Sequence, residues 1–353
     1  MRLITDDGAG AAEGLALDEA LMARYARGQP AQPSTLRLYT YRSHCALVGR
    51  YQNLEAEVNL AACRRTGTQV SRRPTGGGAI IMGAGQRPRE IIEELAGAVT
   101  AGLALLGIAT VFRGKNDLEA GGRKIAGLGL YVDPAGGMLF HASVLADLDI
   151  EFMLAVLRIP AAKLADKAAA AVADRVTTVS RETGRPHTAA DVREAIAAGF
   201  DAASATTLEP GAPDPAEYAL AARLAAERYG AQSWLSERSL AADGSGSAVL
   251  KTPAGLARIY LTTHGGLVKN AIVVGDFNEL PPAVVAMESA LRWRRLDQRS
   301  VTEAVIRTGA GEALGIPAER IAAAVLDAGR QAGERVTAAP VRSAGSCYFP
   351  EPT

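Results

Sequence analysis

Three strand-like segments joined by glycine turns constrain the fold of this chain more than any other feature. The segments cover residues 109–120, 123–133 and 138–147, and the connections between them are "GG" at 121–122 and "PAGG" at 134–137. Connections this short join antiparallel neighbours, because parallel strands need a crossover of about a dozen residues or more. The sequence therefore predicts an antiparallel meander.

Helical segments surround this meander. Periodic apolar residues and capping signals predict helices over residues 12–27, 54–65, 87–107, 188–203 and 214–230. The β-branched and aromatic stretch at 35–51 is typical of one strand, or of two strands split near Ser43. These elements predict an α+β fold, in which a mixed or antiparallel β-sheet core is flanked by helices.

A change in composition marks a second unit. Residues 238–250, "RSLAADGSGSAVL", resemble a linker or loop, and "DGSGS" at 243–247 has the composition of a flexible connection. A second strand meander follows, with helices from Pro281 and Ala318. We predict two domains: a catalytic domain over residues 1–236 and a smaller α+β accessory domain over residues 247–353.

Composition limits the classes of function. The chain has 353 residues, of which 48% are hydrophobic, so it can bury a substantial core. Lys plus Arg and Asp plus Glu each number 38, so no bulk charge favours nucleic acid or an anionic membrane surface. Cys45, Cys63 and Cys347 are too far apart for a metal-ligand spacing or a disulfide framework. Since the N-terminus also lacks the apolar segment of a secretory signal, we expect a monomeric, cytoplasmic protein.

One stretch of the chain is long and apolar enough to be compared with a membrane span. Residues 95–112 carry no charged side chain over 18 positions. That length only just reaches a membrane span, and its Ala, Gly and Thr residues contribute little transfer free energy. We predict a buried helix that runs into a buried strand.

The sequence "RRPTGGGAI", residues 72–80, places three glycines beside two arginines. Glycine runs permit close approach of the backbone, and arginine makes planar contacts to phosphate or carboxylate. The string alone is equally consistent with a hairpin corner that carries two solvated arginines. It is not a Walker loop, because no Lys-Ser/Thr pair follows, and "GAGQRP" at 83–88 breaks the dinucleotide-binding pattern.

Several blocks together resemble the lipoate–protein ligases of the biotin and lipoate ligase superfamily. They are, in order, "GLALDEALM", "LVGRYQN", "RRPTGGGAI", "GKNDLEAGGRKIAG", "LFHASVLADLD" and "DRVTTV", and they extend over the first two thirds of the chain. The resemblance implies ATP-dependent activation of lipoate to lipoyl-AMP with Mg²⁺, followed by lipoyl transfer to a lysine of an acceptor lipoyl domain. The acceptors it implies are an E2 subunit, the glycine-cleavage H protein or a sulfur-oxidation lipoyl carrier.

The resemblance also implies roles for individual residues. Lys124 would bind the lipoate carboxylate and the α-phosphate, and Arg73 would neutralise phosphate charge. His141 would lie near the acyl-adenylate, although its apolar neighbours equally fit a satisfied core histidine. Asn116 and Asp117 would serve the nucleotide, with Asp117 as a Mg²⁺ ligand. The remaining implied residues are those of the glycine loop (Gly76, Gly77, Gly78 and Ala79), the dithiolane tunnel (Gly49 and Gln52) and a mobile adenylate-binding segment (Lys163 and Lys167).

The chain departs from the family pattern after the glycine run. The ligases usually carry a His-Asp pair, a Gly-Asn and then an apolar strand, whereas this chain has Met82, Gly83 and Gln86 and then a helix. We interpret this as the loss of a loop or sheet-edge strand between Gln86 and Arg87.

Three alternatives stand beside the ligase interpretation. Octanoyltransferases of the superfamily use a cysteine shortly before the lysine motif, where this chain has Asn116 and Asp117, and it has no cysteine from residue 64 to 346. "CYFPEP" at 347–352 echoes their Cys-Phe-x-x-Pro signature only faintly. A biotin ligase would need an Arg-Gly-rich adenylate loop. The third alternative, which the lost strand suggests, is a non-catalytic lipoyl-binding protein. Such a protein would not need the phosphate-neutralising residues.

Overall fold

The chain forms two compact units, Met1–Glu237 and Arg238–Thr353. The computed structural model describes residues 1–30, 32–76, 81–82, 88–113, 116–132, 135–147, 149, 152–153, 156–157, 174–203, 207–239, 245–277 and 279–338.

The first unit alternates strands and helices. Its strands are β1 (Arg2–Ala9), β2 (Thr35–Tyr41), β3 (Cys45–Val48), β4 (Gln69–Arg72), β5 (Ile81–Met82), β6 (Val111–Arg113), β7 (Asp117–Ala120), β8 (Arg123–Val132), β9 (Met138–Val144) and β10 (Glu209–Pro210). Its α-helices are α1 (Ala11–Met22), α2 (Leu54–Glu57), α3 (Leu60–Thr66), α4 (Pro88–Leu105), α5 (Val179–Thr183), α6 (Ala189–Ala203), α7 (Pro215–Leu224) and α8 (Gln232–Leu235).

The predicted meander is confirmed within a five-stranded sheet, except that its first segment, residues 109–120, is divided into two strands, β6 and β7, which pair antiparallel with each other. Its strand order is β5-β9-β8-β7-β6, and every neighbouring pair is antiparallel. Gly121 and Gly122 form the turn between β7 and β8 with φ of 54° and 77°. Other residue types adopt that left-handed conformation only at a cost, so the turn needs glycine at these positions.

The other sheets of this unit are parallel. β1 lies between β10 and β2, and β3 pairs with β4. Residues 35–51 therefore form two strands, the second of the two arrangements that the sequence permits, because β2 and β3 belong to different sheets. The predicted α+β class with a mixed sheet core is confirmed.

Helices α4 and α6 cover one face of the five-stranded sheet. The core there is formed by fully or nearly fully buried side chains, including Val99, Leu103, Leu118, Ile125, Phe140, Val192 and Ile196. The two helices cross closely because both carry glycine at the crossing. A Cβ built on Gly199 would lie 2.3 Å from the backbone nitrogen of Gly102.

Two further predictions of local structure were wrong in detail. The helix expected at 54–65 is divided into α2 and α3, because Asn53 and Asn59 each cap a separate helix by accepting a backbone N–H. The uncharged stretch at 95–112 does run from α4 into a strand, β6, but Val111 is 59% exposed, so that strand is not buried. Among the described residues, no helix is both long enough and apolar enough to cross a bilayer.

The second unit has an antiparallel sheet and helices of its own. The elements are β11 (Ser245–Thr252), β12 (Gly255–His264), β13 (Leu267–Gly275), α9 (Pro282–Leu291), α10 (Gln298–Thr308), α11 (Ala310–Leu314) and α12 (Ala318–Ala338). The linker expected at 238–250 was therefore wrong from Ser245 onward. Ser245 pairs with Thr262 as the first residue of β11, so the part of "DGSGS" that the structure describes is strand.

Candidate functional site

One face of the five-stranded sheet gathers the predicted polar residues. Asp117 on β7 lies opposite Gly127 on β8, and Gly127 lies opposite Ser143 on β9. Residues directly opposite one another in a sheet point to the same face, and neighbouring strands are about 4.8 Å apart. His141, two residues before Ser143, shares that face. Asp117 and His141 are therefore part of one surface.

A β-bulge brings Lys124 onto the same face. The pairing register between β7 and β8 shifts at Leu118 and Glu119, so that Lys124 pairs with Glu119. Without the shift, Lys124 and Gly127 would point to opposite faces, since they are three residues apart. A bulge of this kind re-aims a side chain by adding one residue to a strand.

Lys124 is held at both its backbone and its side chain. Its backbone N–H donates to the carbonyl of Arg175 at 2.8 Å, and its carbonyl accepts from the N–H of Thr177 at 2.9 Å. Its Nζ lies 2.6 Å from Oδ1 of Asp117. This contact is an ion pair by distance, while its angle departs from hydrogen-bond geometry. The predicted catalytic lysine and the predicted metal ligand are thus neighbours.

Two glycines of β8 make room for the polar side chains. A Cβ built on Gly127 would lie 3.2 Å from Nζ of Lys124, and one built on Gly129 would lie 2.5 Å from Nε2 of His141. The sequence analysis did not single out these glycines. The signal was present in "GLG" at 127–129, because alternating glycines inside a strand often mark a close approach.

Arg73 and His141 line one small cavity of about 50 Å³. The side chains of Leu15, Tyr39, Tyr41, Leu47, Pro74, Thr75, Leu139 and Ser143 complete its wall. Arg73 Nη1 donates to the carbonyl of Leu47 at 3.2 Å, while its enclosed Nε has no hydrogen-bond partner. His141 is 1% exposed, and neither ring nitrogen has a partner.

These unpartnered atoms argue against a satisfied core histidine at position 141. A satisfied core histidine would have a hydrogen-bond partner, because a buried polar group without one costs about 1–3 kcal/mol. Burial, reinforced by the charge of Arg73, holds the pKa of His141 well below its usual value, so the imidazole is neutral at pH 7. Burial also lowers the pKa of Arg73, which nevertheless stays charged. The cavity is therefore lined by one cation and one neutral imidazole, and three of their nitrogens have no hydrogen-bond partner.

The neighbouring Arg72 has a different position. Its side chain is fully buried and donates to the carbonyls of Gly49, Arg50, Gln52, Trp234 and Leu235 at 2.6–3.1 Å. Trp234 returns a hydrogen bond to the Arg72 carbonyl at 2.8 Å. Arg72 thus ties the turn after β3 to α8, and only Arg73 of the pair faces the cavity.

Of the predicted tunnel residues, Gly49 lies beside Gly76, the first glycine of the run, and Gln52 holds Gly49. Gln52 Oε1 accepts the backbone N–H of Gly49 at 2.7 Å. A Cβ on Gly49 would lie 3.2 Å from the Gly76 carbonyl and 3.6 Å from Arg73 Nη2. Neither Gly49 nor Gln52 is among the described residues that line the Arg73 cavity, so their tunnel role stays a prediction. Several other predicted positions lie outside the described residues: Gly77, Gly78, Ala79, Lys163, Lys167, the Gln86–Arg87 junction and Cys347.

A buried polar network stands behind the cavity and was not anticipated. Arg37 Nη1 donates to Asp18 at 2.8 Å, and the Tyr39 hydroxyl donates to the other oxygen of that carboxylate at 3.1 Å. The Tyr39 and Tyr41 hydroxyls lie 3.0 Å apart. Burial raises the pKa of Asp18 to about 6 against the opposing effect of Arg37. Because Tyr39 and Tyr41 line the cavity, this network fixes part of its wall.

The donor set places a limit on any Mg²⁺ site. The backbone carbonyl of Asn116 accepts the Leu128 N–H at 2.7 Å, which fixes the chain beside Asp117, and Asp117 supplies one carboxylate. In the part of the chain that the structure describes, no three His, Cys, Asp or Glu side chains converge. Mg²⁺ prefers one or two carboxylates together with phosphate and water oxygens, so this set fits an ion that arrives with a nucleotide.

The chain is similar to known proteins in both sequence and structure. Residues 10–201 match the family of the lipoyl protein ligase A/B catalytic domain. An octanoyltransferase, LipM, of Symbiobacterium thermophilum is 30% identical over 257 residues, which cover 63% of this chain and 93% of the relative.

Two solved structures extend the comparison. The structure of a bi-partite lipoate protein ligase and its E2 lipoyl domain from Thermoplasma acidophilum gives a TM-score of 0.58 at 25% identity, and covers 66% of this chain and 94% of that chain. LipL1 of P. falciparum, solved in complex with lipoate, gives a TM-score of 0.64 and covers 86% of this chain and 94% of that chain; at 14% identity it shows the fold alone. Since the family match spans more than half of the sequence, the chain belongs to the lipoyl protein ligase A/B family.

Proposed function

We propose that the chain is an ATP-dependent lipoate–protein ligase, which activates lipoate to lipoyl-AMP and transfers the lipoyl group to a lysine of an acceptor lipoyl domain. One observation carries the proposal: Arg73, with an enclosed and unpartnered Nε, lies beside His141, and Lys124 lies on the sheet face that His141 shares. One cation at the cavity and a second on the same sheet face suit a reaction in which negative charge accumulates on phosphoryl oxygens.

The residues would divide the work of the first half-reaction. A carboxylate oxygen of lipoate attacks the α-phosphorus of ATP, the bond to the bridging oxygen breaks, and pyrophosphate leaves. Lys124 would hold the carboxylate and the α-phosphate together, and Arg73 would stabilise the charge on the phosphoryl oxygens. Mg²⁺ bound with ATP would be held by Asp117 and phosphate oxygens and would neutralise phosphate charge.

The second half-reaction needs an acceptor but no further cofactor. The ε-amine of the acceptor lysine attacks the carbonyl carbon of the mixed anhydride, the nitrogen loses a proton, and AMP leaves. An E2 lipoyl domain, which accompanies the Thermoplasma acidophilum ligase in its structure, is the first acceptor to test. The glycine-cleavage H protein and a sulfur-oxidation lipoyl carrier are the other candidates. We place these reactions in the cytoplasm.

The name of the LipM relative favours a second candidate, an octanoyltransferase. As we interpret that class, it transfers the acyl group through a cysteine thioester, and the reacting species of a cysteine is the thiolate. Burial raises the pKa of Cys45 to about 11, and its Sγ donates to the Ser43 carbonyl at 3.3 Å. Burial also raises the pKa of Cys63 on α3. Neither of these two thiols is activated, which supports the ligase.

Pyrophosphate release in the presence of ATP, Mg²⁺ and lipoate tests the proposal. The wild-type chain should release pyrophosphate with lipoate and lipoylate an E2 domain. Lys124→Ala should lower the rate at least 100-fold, because the charge that holds both reactants is lost. Lys251→Ala, which removes an exposed lysine of β11, is the matched control and should keep the wild-type rate.

A second experiment distinguishes the ligase from the octanoyltransferase. Octanoyl transfer from an acyl carrier protein without ATP, through a hydroxylamine-sensitive enzyme intermediate, would overturn the ligase and establish the transferase. Replacement of all three cysteines by serine should leave the ligase rate unchanged.

A further inference from the structure

Trp293 is an exposed aromatic residue on a strained backbone in the second unit. It follows α9 with a φ of 62°, and no other non-glycine residue that the structure describes has a positive φ. That left-handed conformation is costly for a bulky side chain and is ordinarily adopted by glycine or asparagine. Because Trp293 is 53% exposed, packing offsets only part of the cost. Strained residues cluster at functional sites, so Trp293 is a candidate contact residue.

Backbone hydrogen bonds hold this conformation against β13. The Trp293 N–H donates to the carbonyl of Val268 at 2.6 Å, and the Val268 N–H donates to the carbonyl of Arg294 at 2.9 Å. Arg295 then lies opposite Leu267 in an antiparallel bridge. The fold itself therefore fixes the backbone that presents the indole.

Four cations adjoin Trp293 in the sequence or across this pairing: Lys269, Arg292, Arg294 and Arg295. Together with Trp293 we call them the Trp293 patch. Three of the cations are exposed, and the fourth, Arg294, is partly buried and donates from Nε to the Ala290 carbonyl at 2.9 Å. In the described part of the chain, none of the four forms a salt bridge. Since the whole chain carries equal numbers of cations and anions, the patch is a local concentration of positive charge.

The acidic residues that follow the patch are engaged elsewhere. Asp297 caps α10, where its carboxylate accepts the Ser300 N–H at 2.8 Å and the Ser300 hydroxyl at 3.0 Å. Glu303 pairs with Arg299 on the exposed side of the same helix. The arginines of the patch are therefore available to carboxylates from outside the chain.

The composition of the patch fits a protein partner better than a nucleic acid or a membrane. Tryptophan and arginine are the residue types that most often dominate the binding energy of protein–protein interfaces. A membrane-binding surface needs an apolar face of several side chains, whereas Trp293 is the one apolar member of the patch. A nucleic-acid groove needs a continuous basic track, whereas Asp297 and Glu303 follow the patch along the chain.

We propose that the Trp293 patch is a docking site for an acidic protein segment, whose carboxylates pair with the exposed cations and whose apolar side chain contacts the indole. The strained backbone already presents the indole at the surface, so binding there orders little further. This surface lies within the second unit and does not depend on the chemistry of the first. It is a binding activity beyond the proposed function.

Fluorescence anisotropy with a labelled peptide of eight glutamates and two phenylalanines tests the proposal on the full chain. At 50 mM salt the wild-type chain should bind the peptide with a Kd below about 1 mM, and 500 mM salt should weaken binding by screening. Arg292→Glu combined with Arg295→Glu should weaken binding at least about tenfold. Arg307→Glu combined with Arg320→Glu is the matched control at two other exposed arginines of this unit, and it should change binding less than about twofold.

Trp293→Gly separates a binding role from a structural role. Glycine adopts the left-handed conformation without strain, so the variant should unfold at no lower temperature than the wild type. It should nevertheless bind the peptide at least about fivefold more weakly. Trp293→Asn is a second variant that tolerates the same conformation. Ile306→Ala, at a 62% exposed apolar position of α10, is the control and should bind like the wild type.

Several results would overturn the proposal. They are a wild-type chain that does not bind the peptide, equal weakening by the two arginine pairs, and unchanged binding in both Trp293 variants. Tighter binding of a 20-base-pair DNA duplex or of phosphatidylglycerol vesicles, lost in the patch variants, would assign the surface to nucleic acid or membrane instead. A dimer in analytical ultracentrifugation that Trp293→Gly abolishes would assign it to a second copy of the chain.

Discussion

Gly129 and His141 lie directly opposite each other on β8 and β9, and a Cβ at Gly129 would fall 2.5 Å from Nε2 of His141. No real Cβ contact is this short, so the imidazole occupies its place only because Gly129 has no side chain. The polar wall of the Arg73 cavity therefore depends on a glycine that is not itself among the residues that line the cavity.

This relationship predicts the effect of Gly129→Ala. The added methyl must displace the buried ring, so we expect a loss of about 1–3 kcal/mol in the free energy of unfolding together with a large loss of lipoyl-AMP formation. Gly127→Ala is the comparison, because its methyl would meet the flexible end of Lys124 at 3.2 Å and should disturb the fold less. Equal stability of Gly129→Ala and the wild type in urea would contradict the prediction.

Replacement of the adjacent Arg72 and Arg73 by methionine should affect different properties: stability for Arg72 and activity for Arg73. Arg72→Met leaves five buried or partly buried carbonyls without their donor, so we expect a loss of at least about 3 kcal/mol in unfolding free energy. Arg73→Met removes one side-chain hydrogen bond and one enclosed, unpartnered Nε, so stability should change by less than about 1 kcal/mol. Only the second variant should fold normally and fail to form lipoyl-AMP.

Urea unfolding measures the stability of both variants, and pyrophosphate release measures their formation of lipoyl-AMP. Two variants of equal stability would show that Arg72 has no special structural role.

His141→Leu should stabilise the fold and abolish activity. The change removes two buried nitrogens that have no partner, so we expect a gain of about 1 kcal/mol or more at pH 7. A variant that gains stability while it loses activity shows that the native residue serves function and lowers the stability of the fold. A loss of stability at pH 7 would contradict the prediction, because it would show that a ring nitrogen of His141 has a hydrogen-bond partner in the folded chain.

The same variant gives a pH test. The pKa of His141 is lowered from 6.5 in the folded chain, so below pH 6.5 the unfolded chain takes up a proton there and the folded chain does not. Stability is therefore lost as pH falls, by up to about 1.4 kcal/mol per pH unit from this residue. The difference in unfolding free energy between His141→Leu and the wild type should grow from pH 7 to pH 5. A constant difference would contradict the shift.

The α4–α6 crossing provides a test of packing away from the site. A Cβ on Gly102 would lie 2.7 Å from the Ala195 carbonyl, so Gly102→Ala should separate the helices and lower the free energy of unfolding by about 1–3 kcal/mol. Gly97→Ala is the control on the same helix, since a Cβ there meets nothing within 4 Å. That change should raise stability by about 0.5–1 kcal/mol through helix propensity. Equal thermal unfolding of the two variants would contradict the close crossing.

Local signals in the sequence were enough for much of the fold. Short glycine turns predicted the β7–β9 meander, because chain connectivity leaves antiparallel pairing as the available arrangement. Apolar periodicity predicted α4, α6 and α7, because a helix forms from the same contiguous residues that carry the periodic pattern. The resemblance of the motif blocks identified Arg73, Lys124, Asp117 and His141 as candidates, and the comparisons confirmed the family.

Tertiary structure decided what depends on residues distant in the chain. Arg72 and Arg73 are the same residue type and adjacent in the sequence. The Arg72 side chain donates to carbonyls up to 163 residues away in the chain, whereas the Arg73 side chain lines a cavity. The β-bulge that turns Lys124 toward Asp117 arises from pairing between β7 and β8, which no local pattern encodes. By itself the sequence determined which residues could carry the chemistry, and long-range pairing decided which of them face one another.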